Sequence, residues 1–159
     1  MVDLTILQGK LSLLGQAKRE VRTQFAALCF RVRHGRTEVL LVTSRDTGRW
    51  VLPKGWPING LTPAESAARE AWEEAGVRGR TLPQCLGFYS YGKRMPDNTL
   101  LPCAVAVFAL EVSEIRDTFP EEGQRKRKWF PPKKAATRVD EPELACILEE
   151  FAERGAGWG

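Results

Sequence analysis

Residues 55–77 read GWPINGLTPAESAAREAWEEAGV, and this stretch decides how the chain folds. Pro and Gly are too dense in residues 53–63 for helix or continuous strand, so a long functional loop is expected there. A helix follows with clear end signals. Thr62 is placed as N-cap, Pro63 at the first helical position, Glu65 three residues after the cap to complete a capping box, and Gly76 as the stop. At about 100° per residue, Glu70, Glu73 and Glu74 share an arc of roughly 100°, while Ala64, Ala68, Ala71 and Ala75 form a separate small-residue face. Alanines on that face let the helix axis approach a sheet closely while the acidic face looks elsewhere.

The acids are poorly placed for an isolated helix. They occupy the last two turns, where the helix dipole prefers cations, and Glu70 and Glu74 repel at i, i+4, for a cost on the order of 1 kcal/mol. A divalent cation would offset that cost, and carboxylate oxygens are the donors Mg²⁺ prefers. The competing reading is a solvated acidic face, since Glu is a good helix former.

Working outward, residues 24–33 (QFAALCFRVR) and 38–43 (EVLLVT) flank a His34-Gly35-Arg36 turn signal and predict a β-hairpin. Residues 85–91 and 101–112 flank a polar turn with Pro96, Asp97 and Asn98 and predict a second antiparallel pair. A further strand is expected at Trp129 and Phe130, ended by Pro131-Pro132. A last helix is expected over 140–154, capped by Asp140 with Glu143 and packing Leu144, Ile147, Leu148 and Phe151. Residues 1–20 show no strong period and read as a lead-in. The order predicts one mixed α/β domain over residues 1–159.

The 159 residues are 43% hydrophobic and 28% charged, enough apolar content for a core. With 24 Lys and Arg against 20 Asp and Glu, the net charge of +4 favours an anionic partner. No apolar run approaches the roughly 20 residues of a membrane span, and Asp3 with Gln8, Gly9 and Lys10 interrupts any export signal, so no membrane partner and a cytoplasmic protein are expected. Cys29, Cys85, Cys103 and Cys146 are isolated and read as reduced packing residues. His34 is expected to face solvent in its turn. Nothing in the sequence speaks to oligomeric state.

Gly55, Arg69-Glu70, Glu73-Glu74, Gly76 and Val77 stand in the register of the Nudix box, and the chain resembles a Nudix hydrolase over residues 20–155. The resemblance implies a Nudix-type α/β/α sandwich with a mixed β-sheet, and cleavage of a diphosphate by water with one or more divalent metals. It makes Glu70, Glu73 and Glu74 the metal ligands, with the Gly55 carbonyl as a further donor and Arg69 orienting the carboxylates. Mg²⁺ is the expected cofactor, with Mn²⁺ as a substitute. The general base is Glu70 or Glu74, or a residue outside the box such as Glu121 or Glu122. Two positions depart from the family. Leu61 stands where the pattern has a glutamate, which puts the loop's anchoring in question, and Ala71 fills an aliphatic slot. Glu65 either completes the capping box or pairs with Arg69.

Residues 124–134 (QRKRKWFPPKK) carry six basic residues and no acid. Such a run is either a solvated, aggregation-resistant edge or a binding strand. Strand alternation would put Arg125 and Arg127 on one face as a phosphate clamp, and Lys126 and Lys128 on the other. With residues 28–30, Ser44-Arg45, Arg49-Trp50 and the Pro53-Lys54-Gly55 loop, this run is similar to the diphosphoinositol polyphosphate phosphohydrolase branch. That branch implies very anionic substrates, diphosphoinositol polyphosphates or dinucleoside polyphosphates. It implies phosphate contacts from Arg22, Arg45, Arg125 and Arg127, with Lys54 added. Lys93 and Arg94 extend the basic surface less securely. Trp56, where that branch has glycine, either stacks on a base or packs against the loop. The alternatives are a nucleotide-pool or RNA 5′-end pyrophosphohydrolase, and a non-catalytic Nudix-fold module binding nucleotide or RNA. The acidic triad disfavours the module, and nucleic acid is the less favoured partner because Trp129 and Phe130 are as apt to be core as platform.

Overall fold

The structure, a computed structural model, describes residues 21–154, so the lead-in expected over residues 1–20 lies outside the described residues. Strands β1 (Arg22–Arg33) and β2 (Arg36–Thr43) form the expected hairpin, with His34 and Gly35 at φ 53° and 73° in its turn. Two positive φ values in succession suit the right-handed twist of the strands it joins. The two-residue strand β3 (Trp50–Val51) precedes the Pro- and Gly-rich loop, and β4 (Lys54–Gly55) takes up its start, so the loop is shorter than expected. Then come α1 (Pro63–Ala75), β5 (Val77–Arg94), β6 (Leu100–Ile115), β7 (Arg127–Phe130), α2 (Pro132–Arg138) and α3 (Pro142–Arg154).

The sheet runs β3-β2-β1-β6-β5, with β4 paired to β1 and β7 paired to β2. β1 and β6 are parallel, with Arg22 opposite Cys103 and Phe30 opposite Glu111, whereas the other pairs are antiparallel. The central strand is buried on both faces, which is why residues 25–30 read as a continuous apolar run and not as an alternation. Its side chains divide with period two. Ala26, Leu28 and Phe30 pack with Ala135, Leu144, Leu148 and Phe151 of α2 and α3. Phe25, Ala27 and Cys29 pack with Ala64, Ala67, Ala71 and Ala75 of α1. Helices thus cover both faces of a mixed sheet, the α/β/α sandwich expected from the resemblance.

Four expectations change. Ala67, not Ala68, completes the closest face of α1, which widens the buried arc toward Glu74. The basic run is not one strand: β7 begins only at Arg127, and Pro132 occupies the first position of α2, so Lys133 and Lys134 are helical. In α3 the Ala145 N–H bonds to the Glu141 carbonyl at 3.0 Å, so the helix starts one residue later than Asp140 would cap. Glu143 instead accepts from the Ser90 N–H at 2.9 Å and the Ser90 hydroxyl at 3.1 Å, tying α3 to β5. Cys146 is exposed, whereas Cys29 and Cys103 are buried and Cys85 half-buried; all four are free thiols.

Candidate active site

The acidic helix is held at both ends by contacts that its sequence specifies. The Thr62 hydroxyl accepts from the Glu65 N–H at 3.2 Å, and the Glu65 carboxylate accepts from the Thr62 N–H at 2.8 Å. Glu65 is therefore the capping-box partner, and no Glu65–Arg69 ion pair forms among the described residues. Gly76 adopts the left-handed conformation at φ 69° and bonds back to the Trp72 carbonyl at 3.0 Å. The loop before the helix is anchored by Ser66, whose buried hydroxyl accepts from the Ile58 N–H at 3.2 Å. Leu61 lines a separate groove with Ala68, Arg69 and Trp72, so this loop is tied down without a glutamate at that position.

Between this helix, the 44–49 loop and the ends of β5 and β6 lies a cavity of about 540 Å³. Pairing of β4 with β1 sets Gly55 opposite Phe25 and brings the loop backbone against α1. A Cβ on Gly55 would overlap Glu70 Oε1, so only glycine lets the carboxylate approach the chain this closely. Burial, reinforced by the charges of Glu73 and Glu121, pushes the Glu70 carboxyl up to about 7. Burial pushes Glu74 up to about 8 although Arg125 stands 3.8 Å away, with Glu70 adding to the rise. The Lys54 ammonium, 4.9 Å from the centroid of the Tyr91 ring, is held below its ordinary range by the same burial. Here desolvation outweighs pairing on both sides of the cleft.

Of the residues singled out in the sequence, Gly55, Glu70, Glu74, Lys54, Arg45 and Arg125 line this one cavity. Arg45 bonds to Gln124 at 3.2 Å, and Arg125 reaches the Thr43 carbonyl at 3.2 Å and the Glu121 carboxylate at 3.4 Å. Four others stand outside the lining. Glu73 flanks Glu70, and its carbonyl accepts from the Glu121 N–H at 3.0 Å. Arg69 is exposed on the opposite side of α1, in the groove beside Trp72, and makes no ion pair with the three glutamates, so it does not orient the carboxylates here. Arg22 lies over the Trp56 ring at 5.6 Å from its centroid. Arg127 donates to the carbonyls of Ala75 at 2.7 Å and Arg116 at 2.8 Å, and pairs with Asp117 at 3.0 Å. The two-arginine clamp therefore does not form. Arg125 precedes the strand, where alternation does not apply, and Arg127 closes the end of α1.

Other lining residues were not legible as site residues. Arg49 forms a 2.7 Å ion pair with buried Glu141, and the Tyr91 hydroxyl donates to Gln24 Oε1 at 2.6 Å. Both contacts join segments far apart in sequence, and no local pattern marks them. Lys93 and Arg94 do reach the cavity. Of the two external base candidates, Glu121 is half-buried and its charge raises both Glu70 and Glu74, while Glu122 is exposed. Phe130 lies in the core on one sheet face, and Trp129 packs against the core on the other, under the Arg31 guanidinium at 4.0 Å. The basic strand thus offers no aromatic platform for single-stranded nucleic acid.

Among the described residues no three His, Cys, Asp or Glu side chains converge as a ready-made cation cage. The donor set nonetheless fits a hard divalent ion. Glu70 and Glu74 present carboxylate oxygens beside the glycine cradle, and their ionisation is opposed by burial that a cation would compensate.

A mixed sheet faced by helices thus carries one cleft in which carboxylates stand opposite cations. The chain belongs to the Nudix family: the NUDIX domain matches residues 22–151. It is 33% identical over 165 residues to Nudix hydrolase 16, mitochondrial, of Arabidopsis thaliana, covering 94% of this chain and 89% of that one. It is 34% identical over 135 residues to the mouse diphosphoinositol polyphosphate phosphohydrolase 3-alpha, covering 82% and 78%, and so stands near that branch. The solved C. elegans Ap4A hydrolase shares the fold, with a TM-score of 0.64 at 21% identity over 87% of this chain and all of that one. Among the described residues no helix is long and apolar enough to cross a membrane.

Proposed function

We propose that this enzyme hydrolyses a phosphoanhydride bond in a highly phosphorylated small molecule, a diphosphoinositol polyphosphate or a dinucleoside polyphosphate, with Mg²⁺ as its cofactor and Mn²⁺ as a substitute. The observation that carries the reading is the pairing, in one cleft, of half-buried Glu70 and buried Glu74 with Lys54, Arg45 and Arg125. The cations neutralise and align the phosphate chain, while the carboxylates serve the attacking side. Glu70, Glu74 and the adjoining Glu73, with the Gly55 carbonyl, would hold the metal. When bound, the metal supplies charge neutralisation on the diphosphate and lowers the pKa of attacking water.

In hydrolysis the water oxygen forms a new bond to phosphorus as the bond to the bridging oxygen breaks, and the bridging oxygen leaves with the departing phosphate. The proton lost by water passes to a carboxylate, Glu70 or Glu74 in the lining of the cleft or Glu121 beside them. Arg125 and Lys54 hold negative charge that shifts onto the leaving phosphate. A reducing compartment such as the cytoplasm belongs to this reading, since all four cysteines are free.

The test is a substrate panel with Mg²⁺ and, separately, Mn²⁺: diadenosine polyphosphates, a diphosphoinositol polyphosphate, nucleoside triphosphates and 5′-triphosphate RNA. Turnover concentrated on the first two supports the reading. Inactivity of folded protein on all of them, or a preference for RNA ends, overturns it. Glu70→Gln and Glu74→Gln are each expected to abolish turnover without loss of fold.

A further inference from the structure

Four large hydrophobic side chains are exposed among the described residues: Val32, Trp56, Leu100 and Ile115. Trp56, 36% exposed, and Leu100, 53% exposed, both line the cleft that otherwise presents cations and carboxylates. Phosphate recognition gives no reason for apolar surface there. An aromatic ring and an aliphatic side chain in a charged cleft are instead what orients a ligand with an apolar face.

We propose that Trp56, with Leu100, forms a nucleobase subsite, so that the physiological substrate carries a nucleoside and is not an inositol polyphosphate. This rests on the hydrolase reading above and chooses between its two substrate classes. Inositol is a saturated ring with an oxygen on every carbon and has no π-face, whereas purines and pyrimidines stack on indole. Trp56 follows Gly55, whose Cα lies against the Glu70 carboxylate, so the platform adjoins the reacting centre. Arg22, which is outside the cavity lining, places its guanidinium 5.6 Å from the indole centroid. That cation–π contact restrains the ring before ligand arrives, which lessens the ordering cost of binding. Arg22 is then a support for Trp56 and not a phosphate ligand.

The experiment compares wild type, Trp56→Ala and Trp56→Phe on diadenosine tetraphosphate and on a diphosphoinositol polyphosphate. Trp56→Ala is expected to lower kcat/KM for the dinucleotide by roughly ten- to a hundredfold more than for the inositol substrate, the range one base–aromatic stack supplies. Trp56→Phe is expected to keep most of the dinucleotide preference. Equal losses on both substrates, or no loss on the dinucleotide, overturn the subsite. A binding measurement separates this from failure of the hydrolase reading. Without divalent cation, ADP is expected to quench the tryptophan fluorescence of wild type and not of Trp56→Phe, and inositol hexakisphosphate to quench neither. Quenching that survives in Trp56→Phe, or that ADP does not produce in wild type, overturns the subsite whatever the turnover shows.

Discussion

Arg127 donates to the main-chain carbonyl of Ala75 at 2.7 Å and, through the same nitrogen, to the Arg116 carbonyl at 2.8 Å, closing the C-terminal end of the helix that carries Glu70, Glu73 and Glu74. That helix has no basic residue of its own in its last turn. A cation 52 residues away in sequence therefore supplies the charge that the helix dipole favours there. Asp117 and the Phe119 ring, 5.0 Å away, hold the guanidinium in place.

Arg127→Ala is accordingly expected to destabilise the fold by about 1–3 kcal/mol, the cost of leaving helix-end carbonyls unpaired. The loss is read as a fall in the urea midpoint. Arg125→Ala, whose guanidinium lines the cleft and also reaches the Thr43 carbonyl, is expected to raise KM as well as to lower the midpoint, whereas Arg127→Ala leaves KM near that of wild type. Steady-state kinetics beside the unfolding curves separate the two arginines, and a KM effect confined to Arg127 would reverse the assignment.

Gly55→Ala places a methyl where Glu70 Oε1 stands. The carboxylate must swing away, and loss of at least about a hundredfold in kcat is expected, as for a misplaced catalytic group. Weaker Mn²⁺ binding in titration calorimetry should accompany it, with a far-UV circular dichroism spectrum like that of wild type. Unchanged Mn²⁺ affinity would separate Gly55 from the metal site.

The Glu70 and Glu74 carboxyls sit above their ordinary value of 4.5, at about 7 and about 8. The fold therefore favours their protonated forms. Their contribution to stability is complete below about pH 4.5 and is lost as pH rises through 7 and 8. Without divalent cation, Tm is expected to fall between pH 5 and pH 8 through these groups. Glu70→Gln with Glu74→Gln should flatten that fall. Added Mg²⁺ binds the ionised carboxylates and is expected to raise Tm more at pH 8 than at pH 5. A Mg²⁺ effect independent of pH would detach these groups from cation binding.

Glu141 is 8% exposed and accepts from Arg49 at 2.7 Å, linking the cleft wall to the start of α3. Glu141→Ala leaves Arg49 without its buried partner and is expected to cost about 2–3 kcal/mol, reduced from the fully buried case because Arg49 is partly solvated. Arg49→Met with Glu141→Leu should recover much of that stability. A double variant no more stable than Glu141→Ala would show that the pair does not act as a unit.

The hairpin, the capped acidic helix and the closing helix were legible because each depends on contacts a few residues apart. Thr62 and Glu65 make their box within one turn, and Leu144, Ile147, Leu148 and Phe151 lie on one helical stripe. The short helix Pro132–Arg138 was hidden because a Pro-Pro pair signals the end of a strand as readily as the start of a helix. The candidate site was legible where the Nudix box carries it, in that Gly55, Glu70 and Glu74 line one cavity. It was misread at Arg127, where alternation was applied to a run only partly in a strand.

The sequence by itself determined the class of chemistry through the Nudix box as a whole, since the three glutamates taken alone suit a solvated helix face equally well. It also determined both faces of the sandwich, through the apolar run of residues 25–30 and the alanines of the acidic helix. Only the tertiary structure decided which cation does what. Arg45, Lys54 and Arg125 are gathered into the cleft, whereas Arg127 closes a helix and Arg22 rests on Trp56. Charge along a chain carries no direction, and a guanidinium becomes a ligand, a cap or a support only when folding sets what stands opposite it.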